Sequence, residues 1–310
     1  MLPVLAVLAA ALLFGTTGTS QALGPEGTTP LSVGAVRLVI GGTGLALIAF
    51  TLARRHARRR MDAAPRPRLT WRPLSLMVLT GLCLAVYQPL FFLGTDRNGV
   101  AIGTVVALGS APVLAGLLEW ALTRRAPSGV WVAATAAATL GVVLLGFGGA
   151  AGTSTGTDPI GLLGSVGAGA SFAVIANAQR RLLDAGWDPF TVVGAMGVSS
   201  AVISACALPF VDLAWLQTSA GVVLALWLGL GTISVAYVLF TWGLSGLTAA
   251  TAATLTLGEP LTASILGITV LGERLSVLAI VGLVILALGL ALLAWGSRSP
   301  RDPAPFAVEG

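Results

Sequence analysis

Two ionisable residues, Arg37 and Glu259, lie within long apolar stretches of the sequence. A charged group inside membrane hydrocarbon is costly, so such residues are candidates for binding or coupling. Glu259 stands directly before Pro260, whose ring removes a helix hydrogen bond and frees a carbonyl for a ligand or water. The carboxylate could accept a proton or bind a substrate amine. It could equally be a structural acid that is paired with a neighbouring helix or protonated.

Arg37 allows three interpretations. Its guanidinium could bind a substrate carboxylate in a bidentate manner, extend outward to the membrane interface, or pair with Glu259. Glu119 lies near the end of another apolar stretch, close to Arg124, and is interpreted as an interface acid.

Polar and aromatic side chains inside apolar stretches form a second group of candidates. They would suit an organic substrate in a cavity, although core packing is the commoner role of such residues. This group consists of Thr16, Tyr87, Gln88, Asn177, Tyr237 and Trp242. Three prolines, Pro89, Pro112 and Pro260, are predicted helix breaks or hinges, because proline interrupts helix hydrogen bonding.

The amino-acid composition indicates the class of protein in which these residues lie. Of 310 residues, 56% are apolar and 9% are charged, whereas about a quarter are charged in a soluble domain. A soluble domain is therefore excluded, and disorder is excluded because it requires low hydrophobicity. The apolar runs are long and continuous rather than alternating, which favours helices over a transmembrane β-barrel. We expect an all-α integral membrane protein in contact with the lipid bilayer.

The apolar runs divide the chain into ten predicted transmembrane helices, since one span needs about 20 residues. The breaks between them carry turn residues, such as 96–99 and Asp158-Pro159. The predicted spans are 3–23, 31–52, 73–94, 99–122, 129–147, 159–178, 190–210, 222–243, 247–271 and 276–296.

The arginines predict the orientation. All 17 cationic residues are Arg, and eight of them fall within 53–72. With the N-terminus inside, the loops and tail on the inner side hold 14, whereas the outer loops hold Arg97 and Arg274. Positive residues concentrate on the cytoplasmic side, so we expect both termini to be cytoplasmic. A patch for lipid headgroups or another polyanion is the alternative for 53–72, and no nucleic-acid partner is expected.

The first predicted span has an alternative as well. Residues 1–23 could be a secretory signal with a cleavage site at Ser20-Gln21-Ala22. A signal peptide normally begins with positive charge, but no Lys or Arg precedes Arg37. We therefore expect a retained first span.

Enzyme chemistry finds little support in the sequence. His56 is the only histidine, and it lies in the Arg-rich stretch. No His, Cys and Asp residues have metal-ligand spacing. The chain contains no Lys, so it lacks the phosphate-binding loop of ATP-driven proteins. We expect no enzyme activity, no cofactor and no metal.

An internal repeat relates the two halves of the chain. Residues 108–145 resemble 256–293 at an offset of 148, which pairs Pro112 with Pro260 and Gly141 with Gly289. Five spans per half is an odd number, so the second half would enter the membrane from the opposite side and form an inverted repeat. We expect a first five-helix repeat in 1–150, a second in 151–297, and a cytoplasmic tail in 298–310.

The sequence resembles the EamA type of the drug/metabolite transporter superfamily over nearly its whole length. The clearest similarity is in 237–289, with Tyr237, Trp242, the run 257–260 (Leu-Gly-Glu-Pro) and the run 271–276 (Leu-Gly-Glu-Arg-Leu-Ser). Phe14-Gly15, and Arg37 after Pro30, also match. Arg124-Arg125 departs from the Gly-Glu often found there. The resemblance implies ten helices in two inverted five-helix repeats, cytoplasmic termini, and efflux or exchange of small metabolites, often amino acids.

The leading hypothesis is a secondary transporter of the inner (cell) membrane that exports a small-molecule substrate, an amino acid or a similar metabolite, by alternating access. Coupling to protons or exchange would supply the energy. One alternative is an integral-membrane enzyme acting on lipid-linked substrates, with the Arg-rich loop binding phosphate headgroups. A passive channel is a third hypothesis, and the oligomeric state is left open.

Overall fold

The computed structural model describes residues 1–59, 67–149 and 158–296. Within these ranges it contains ten apolar helices long enough to cross a membrane, which confirms the predicted all-α fold and number of spans. Residues 60–66 of the Arg-rich stretch, most of the linker 148–158 and the tail 298–310 lie outside the described residues. The helices are α1 (Leu2–Ala22), α2 (Pro30–His56), α3 (Trp71–Val100), α4 (Ile102–Thr123), α5 (Gly129–Gly148), α6 (Pro159–Asp184), α7 (Pro189–Phe210), α8 (Ser219–Leu244), α9 (Ala249–Val270) and α10 (Val277–Gly296).

Asp-Pro pairs explain where α6 and α7 begin. The proline occupies the first helical turn, where its missing N–H is not needed, and the aspartate caps the helix. Asp158 accepts hydrogen bonds from the backbone N–H groups of Ile160 and Gly161 at 2.7 and 3.2 Å. Asp188 accepts one from the N–H of Thr191 at 3.0 Å. The break predicted at Asp158 is therefore the start of α6.

The connection between α3 and α4 is a corner at one residue rather than the predicted turn. Helical backbone continues from Trp71 to Thr123 except at Gly99, which has φ 80° and ψ 156°. Glycine adopts positive φ because it has no β-carbon, so the two helices join without a loop. Pro89 and Pro112, two of the predicted breaks, lie inside helical backbone, and the departure from helical geometry is at the glycine.

α9 consists of two helical pieces, Ala249–Leu255 and Gly258–Val270. Pro260 lies in the first turn of the second piece, where a helix residue needs no N–H partner. The carbonyl of Thr256, four residues earlier, accepts a hydrogen bond from the N–H of Glu259 at 2.9 Å. The expectation that this proline frees a carbonyl inside a continuous helix is corrected, because the helix is already interrupted before it.

α8 contains a second irregularity, the π-helical segment Trp227–Val235. Such segments are rare and occur frequently at functional sites. Here the segment is in backbone contact with α2: the Ser234 hydroxyl donates a hydrogen bond to the carbonyl of Gly41 at 2.7 Å. A β-carbon on Gly41 would also lie 2.7 Å from the carbonyl oxygen of Gly229. Only a glycine allows this approach.

α5 and α10 cross at two glycine contacts. A β-carbon on Gly141 would lie 2.6 Å from the carbonyl oxygen of Gly282. One on Gly289 would lie 3.0 Å from the carbonyl oxygen of Ala134. The 148-residue offset of the sequence repeat maps Ala134 onto Gly282 and Gly141 onto Gly289, so each contact becomes the other when the two halves are exchanged.

The remaining helix pairs follow the same pattern. α2 and α7 meet reciprocally: a β-carbon on Gly42 would lie 2.6 Å from the Gly197 carbonyl oxygen, and one on Gly197 would lie 2.7 Å from that of Gly42. α1 packs against α8 and α9, and α6 packs against α3 and α4. The first helix of each half therefore packs against the third and fourth helices of the other half.

Candidate functional site

A cavity of about 760 Å³ lies between the two halves of the bundle. Its walls come from α1 to α5, α8 and α9, with Phe172 from α6. The interruption of α9 forms part of the wall, which agrees with the rule that non-helical backbone at membrane depth lines a cavity or is buried in protein. The lining residues include Phe14, Thr17, Gln21, Arg37, Tyr87, Gln88, Phe91, Phe92, Thr95, Thr104, Ile233, Tyr237, Thr256, Leu257, Glu259, Pro260 and Ser264.

Glu259 is held at this cavity by the packing of α1 on α9. It lies in the first turn of the second piece of α9. A β-carbon on Gly15 of α1 would lie 2.6 Å from the Glu259 carbonyl oxygen, so only a glycine lets α1 approach the turn that carries the carboxylate. Within the described ranges, no hydrogen bond or ion pair occupies that carboxylate.

Arg37 faces the same cavity from α2 and is only 9% exposed. Its Nη2 donates a hydrogen bond to the Thr232 hydroxyl at 3.2 Å, and that hydroxyl donates to the Leu228 carbonyl at 2.5 Å. Its Nε has no partner among the described residues. No ion pair joins Arg37 to Glu259 in this part of the chain. The two side chains therefore face one cavity without an ion pair between them.

Aromatic rings cover two sides of the cavity. On one side, Phe14 of α1 meets Tyr237 of α8 edge to face, with ring centroids 5.3 Å apart. On the other, Tyr87 stacks on Phe91 within α3 at 6.0 Å, and Phe91 in turn meets Phe92 at 5.9 Å. These rings provide an apolar surface for an organic group beside the two charged side chains.

The cavity extends from the middle of the helix bundle toward the face at which α1 ends and α2 begins. Gln21 at the end of α1, Pro30 at the start of α2, and Thr95 and Val100 near the end of α3 all line it. This face is opposite to the one at which the first helix begins and α10 ends, because each helix crosses the membrane once.

Polar contacts between the halves lie toward the opposite face. The Glu119 carboxylate at the end of α4 accepts a hydrogen bond from the Ala250 N–H at the start of α9, at 2.7 Å. Two α5 side chains meet the Thr254 hydroxyl: the Trp131 indole at 3.1 Å and the Thr135 hydroxyl at 2.9 Å. Glu119 is thus a contact between helices rather than only an interface acid.

Two arginines near helix ends, Arg97 and Arg180, have structural partners. Arg97 donates a hydrogen bond to Asp158 at 3.0 Å, and this contact, with the N–H groups at the start of α6, lowers the pKa of Asp158. Arg180, counted above as an inner-loop cation, lies inside α6 and is 8% exposed. It pairs with Asp184 and donates to the Leu244 carbonyl at the end of α8, at 2.9 Å.

The structure brings six predicted site residues together at the cavity and places the others elsewhere. The six are Arg37, Tyr87, Gln88, Tyr237, Glu259 and Pro260. Pro89 and Pro112 are absent from its wall.

Three predicted side chains do not line the cavity because of the direction in which they face. Trp242 is 37% exposed in the last turns of α8. Thr16 accepts a hydrogen bond from the Trp227 indole at 3.1 Å. Asn177 is buried and donates to the carbonyls of Ala115 and Ala173, at 3.1 and 3.0 Å, which ties α6 to α4.

Several lining residues were not predicted, although a helical period marks some of them. Tyr87, Phe91 and Thr95 recur every four residues on one face of α3, which is the spacing of side chains above one another on a helix. Extending the series from Tyr87 would have identified the other two. For Thr104 and Ser264 the sequence carries no comparable signal.

Among the described residues, no group of three or more His, Cys, Asp and Glu could hold a metal ion. The polar groups that line the cavity are one guanidinium, one carboxylate, two phenols, and several hydroxyl and amide groups.

Comparison with known proteins places the chain among transporters. A model of the EamA-like transporter family matches residues 1–147 and 159–295. The "Uncharacterized transporter YwfM" of Bacillus subtilis (strain 168) is 38% identical over 295 residues, which are 95% of this chain and 94% of that protein. A solved structure described only as "Crystal structure of protein" has a TM-score of 0.75 at 21% identity, covering 96% of this chain and 97% of the other. At that identity the likeness concerns the fold alone.

Proposed function

Because the chain belongs to the EamA-like transporter family, we propose that it is a secondary transporter of small zwitterionic metabolites, amino acids or close relatives, and that it works in efflux. The family indicates a multi-pass membrane transporter of a small-molecule substrate, which is not an enzyme. One observation carries the finer proposal: Arg37 and Glu259 face the same cavity without an ion pair between them.

The side chains of the cavity suit a zwitterion. Arg37 can bind a carboxylate, since guanidinium and carboxylate match in geometry, and Glu259 can bind an ammonium group. The rings of Phe14, Tyr87 and Tyr237 can then cover the organic part of the molecule. A volume of about 760 Å³ lies within the range of about 300–1,000 Å³ that is typical of small-molecule pockets.

Alternating access is supported by the reciprocal glycine contacts. Contacts that exchange under the repeat offset are what two related five-helix halves, 1–150 and 151–297, would form around a pseudo-two-fold axis. Because five is odd, the halves would be inverted, and the substrate site would lie between them near mid-membrane. The described state would be open on one side, and the contact of Glu119 with the start of α9 would help close the other.

The distribution of the arginines supports an orientation for the chain. With both termini cytoplasmic in the cell membrane, as the positive-inside rule predicts, the cavity opens to the outside. The state described here is then outward-open. An inward-open state would require the polar contacts of α4 and α5 with α9 to separate.

Glu259 is the best candidate for energy coupling. A carboxylate at the cavity can carry a proton in one state and bind a cationic group in the other. Without a phosphate-binding loop, the chain would depend on a proton gradient or on exchange. Competition of proton and substrate for Glu259 would couple their movements.

The test is transport by purified protein in proteoliposomes. A panel of radiolabelled amino acids and related metabolites is offered with and without a proton gradient, and saturable counterflow distinguishes a transporter from a channel. Glu259→Gln should abolish the pH dependence of flux, whereas Glu26→Gln, in an exposed loop residue, should leave it unchanged. Unchanged pH-dependent flux in Glu259→Gln would remove this residue from the coupling role.

A further inference from the structure

We propose that Arg37 and Thr232 form a carboxylate-binding subsite, in which Thr232 is the positioning residue that holds the guanidinium. This inference rests on the proposed transport function and specifies what the substrate must carry. It starts from an unusual arrangement: the cationic side chain is nine-tenths buried, and its Nε has no partner among the described residues.

A buried guanidinium with a free donor calls for an anionic acceptor. Buried charges are ordinarily paired, because desolvation of an unpaired charge is costly. Here the one hydrogen bond of Arg37 within the described residues goes to a neutral hydroxyl. A carboxylate that reaches the guanidinium from the cavity would supply the missing negative charge.

Thr232 is placed to fix the direction of the guanidinium. It is fully buried, and its hydroxyl is engaged on both sides, by the Leu228 carbonyl at 2.5 Å and by Arg37 at 3.2 Å. Because the hydroxyl proton goes to its own helix, the oxygen must accept from Arg37. One N–H of the guanidinium is thereby held, which fixes how the group is presented to the cavity that Arg37 lines.

The π-helical segment holds this pair in register. Thr232 and Ser234 both belong to it. Ser234 donates to the carbonyl of Gly41, four residues after Arg37 and hence about one turn further along α2. The same short segment therefore fastens the backbone of α2 and holds the side chain of Arg37.

The surroundings favour a monoanionic carboxylate over a phosphate. Arg37 is the one Lys or Arg among the residues lining the cavity, and Glu259 lines it as well. A dianion would meet one positive and one negative group, whereas the carboxylate of an α-amino acid would bring its own ammonium group for the second.

The experiment compares substrates that differ only in the carboxylate. The labelled common L-amino acids and their α-amides are tested for exchange in proteoliposomes by the wild type, Thr232→Val, Thr232→Ser and Thr80→Val. Thr80 is the matched control, since it is equally buried, its hydroxyl donates to the Met77 carbonyl at 2.7 Å, and it does not line the cavity.

For amino acids, Thr232→Val should raise KM about tenfold or more, the effect of losing one hydrogen bond to a charged group, with little change in maximal rate. Thr232→Ser should restore KM, because it keeps the hydroxyl. The KM for amides should be the same in wild type and Thr232→Val, and Thr80→Val should leave both substrate classes unaffected.

The possible failures are distinguishable. If the wild type exchanges amides as well as amino acids, or if Thr232→Val affects both classes alike, the subsite is overturned while transport stands. If the wild type exchanges other metabolites but no compound that carries a carboxylate, the subsite is likewise overturned while transport stands. If the wild type shows no saturable exchange of any compound, the proposed function itself fails.

Discussion

Replacing Gly15 by alanine tests whether the turn that carries Glu259 must keep its position for transport. The new β-carbon would lie 2.6 Å from the Glu259 carbonyl oxygen and 2.5 Å from the β-carbon of Thr262. Ordinary van der Waals contact begins at 3.4 Å. Relief of the contact from 2.6 to 3.4 Å displaces α1 and α9 relative to each other by about 0.8 Å.

Two quantities should respond to this displacement. Overpacking a close contact lowers the free energy of unfolding by about 1–3 kcal/mol. Misplacing a functional group by about 1 Å can cost about 100-fold in rate. The shift of the turn that carries Glu259 should therefore slow exchange by about 10- to 100-fold.

Gly18→Ala is the matched control, because Gly18 lies one turn further along α1, also lines the cavity, and has nothing within 4 Å of its would-be β-carbon. It should be neutral or stabilising by up to about 1 kcal/mol, since alanine favours a helix over glycine. Thermal unfolding of the purified variants and counterflow in proteoliposomes measure both effects. Equal melting temperatures and exchange rates in Gly15→Ala and Gly18→Ala would refute the reasoning.

Other contacts predict separate effects at the membrane faces and in the helix packing. The lowered pKa of Asp158 means that its contact with Arg97 stabilises the fold at neutral pH and is lost as the pH falls through that lowered value; Asp158→Asn should flatten this acid-side loss in thermal unfolding. In the proposed orientation and alternating-access mechanism, Glu119→Ala should favour the inward-open state, seen as slower labelling of Thr95→Cys by an impermeant maleimide in a background without the native cysteines. Gly282→Ala should cost about 1–3 kcal/mol of stability, because its β-carbon would lie 2.7 Å from an α5 carbonyl oxygen.

Each of these expectations has a contradicting result. An unchanged acid-side slope in Asp158→Asn would mean that the contact contributes nothing to folding. Faster or equal labelling in the Glu119→Ala background would contradict the proposal that this contact helps close the inner face. A melting temperature of Gly282→Ala equal to that of Gly129→Ala, which meets nothing within 4 Å, would contradict the close crossing of α5 and α10.

The number of spans could be predicted from the sequence because it depends on each segment alone. An apolar run of about 20 residues crosses the membrane whatever its neighbours are. Arg37 and Glu259 could be predicted for the same reason. An ionisable residue within an apolar run can be recognised from the sequence alone, without knowledge of the fold. That they face one cavity without pairing is a property of the bundle.

The direction in which a side chain faces could not be predicted in the same way. Thr16 and Thr17 are adjacent, but neighbouring residues point about 100° apart around a helix. Thr17 lines the cavity, whereas Thr16 meets the Trp227 indole. Counting charges misjudged Arg180 for a similar reason, since a cation near the end of a helix can lie in a loop or be buried against the end of another helix.

The irregular helices were beyond the reach of the sequence pattern. The apolar run of α8 gives no sign of its π-helical segment, and in α9 the break comes before Pro260 rather than at it. Both lie at contacts with other helices: Ser234 donates a hydrogen bond to the Gly41 carbonyl of α2, and the turn after the break in α9 packs closely against Gly15 of α1.

The π-helical segment of α8 has a consequence for motion within the membrane. A π-helical segment can shift along a helix while the α-helical backbone on either side of it stays intact. If the π-helical segment shifted past position 232, the side chain at that position would rotate around the helix axis by about 100°. The Thr232 hydroxyl would then no longer contact Arg37. Each backbone hydrogen bond broken at one end of the shifting segment would be replaced at its other end. α8 could therefore change which residues face the cavity without unfolding in lipid.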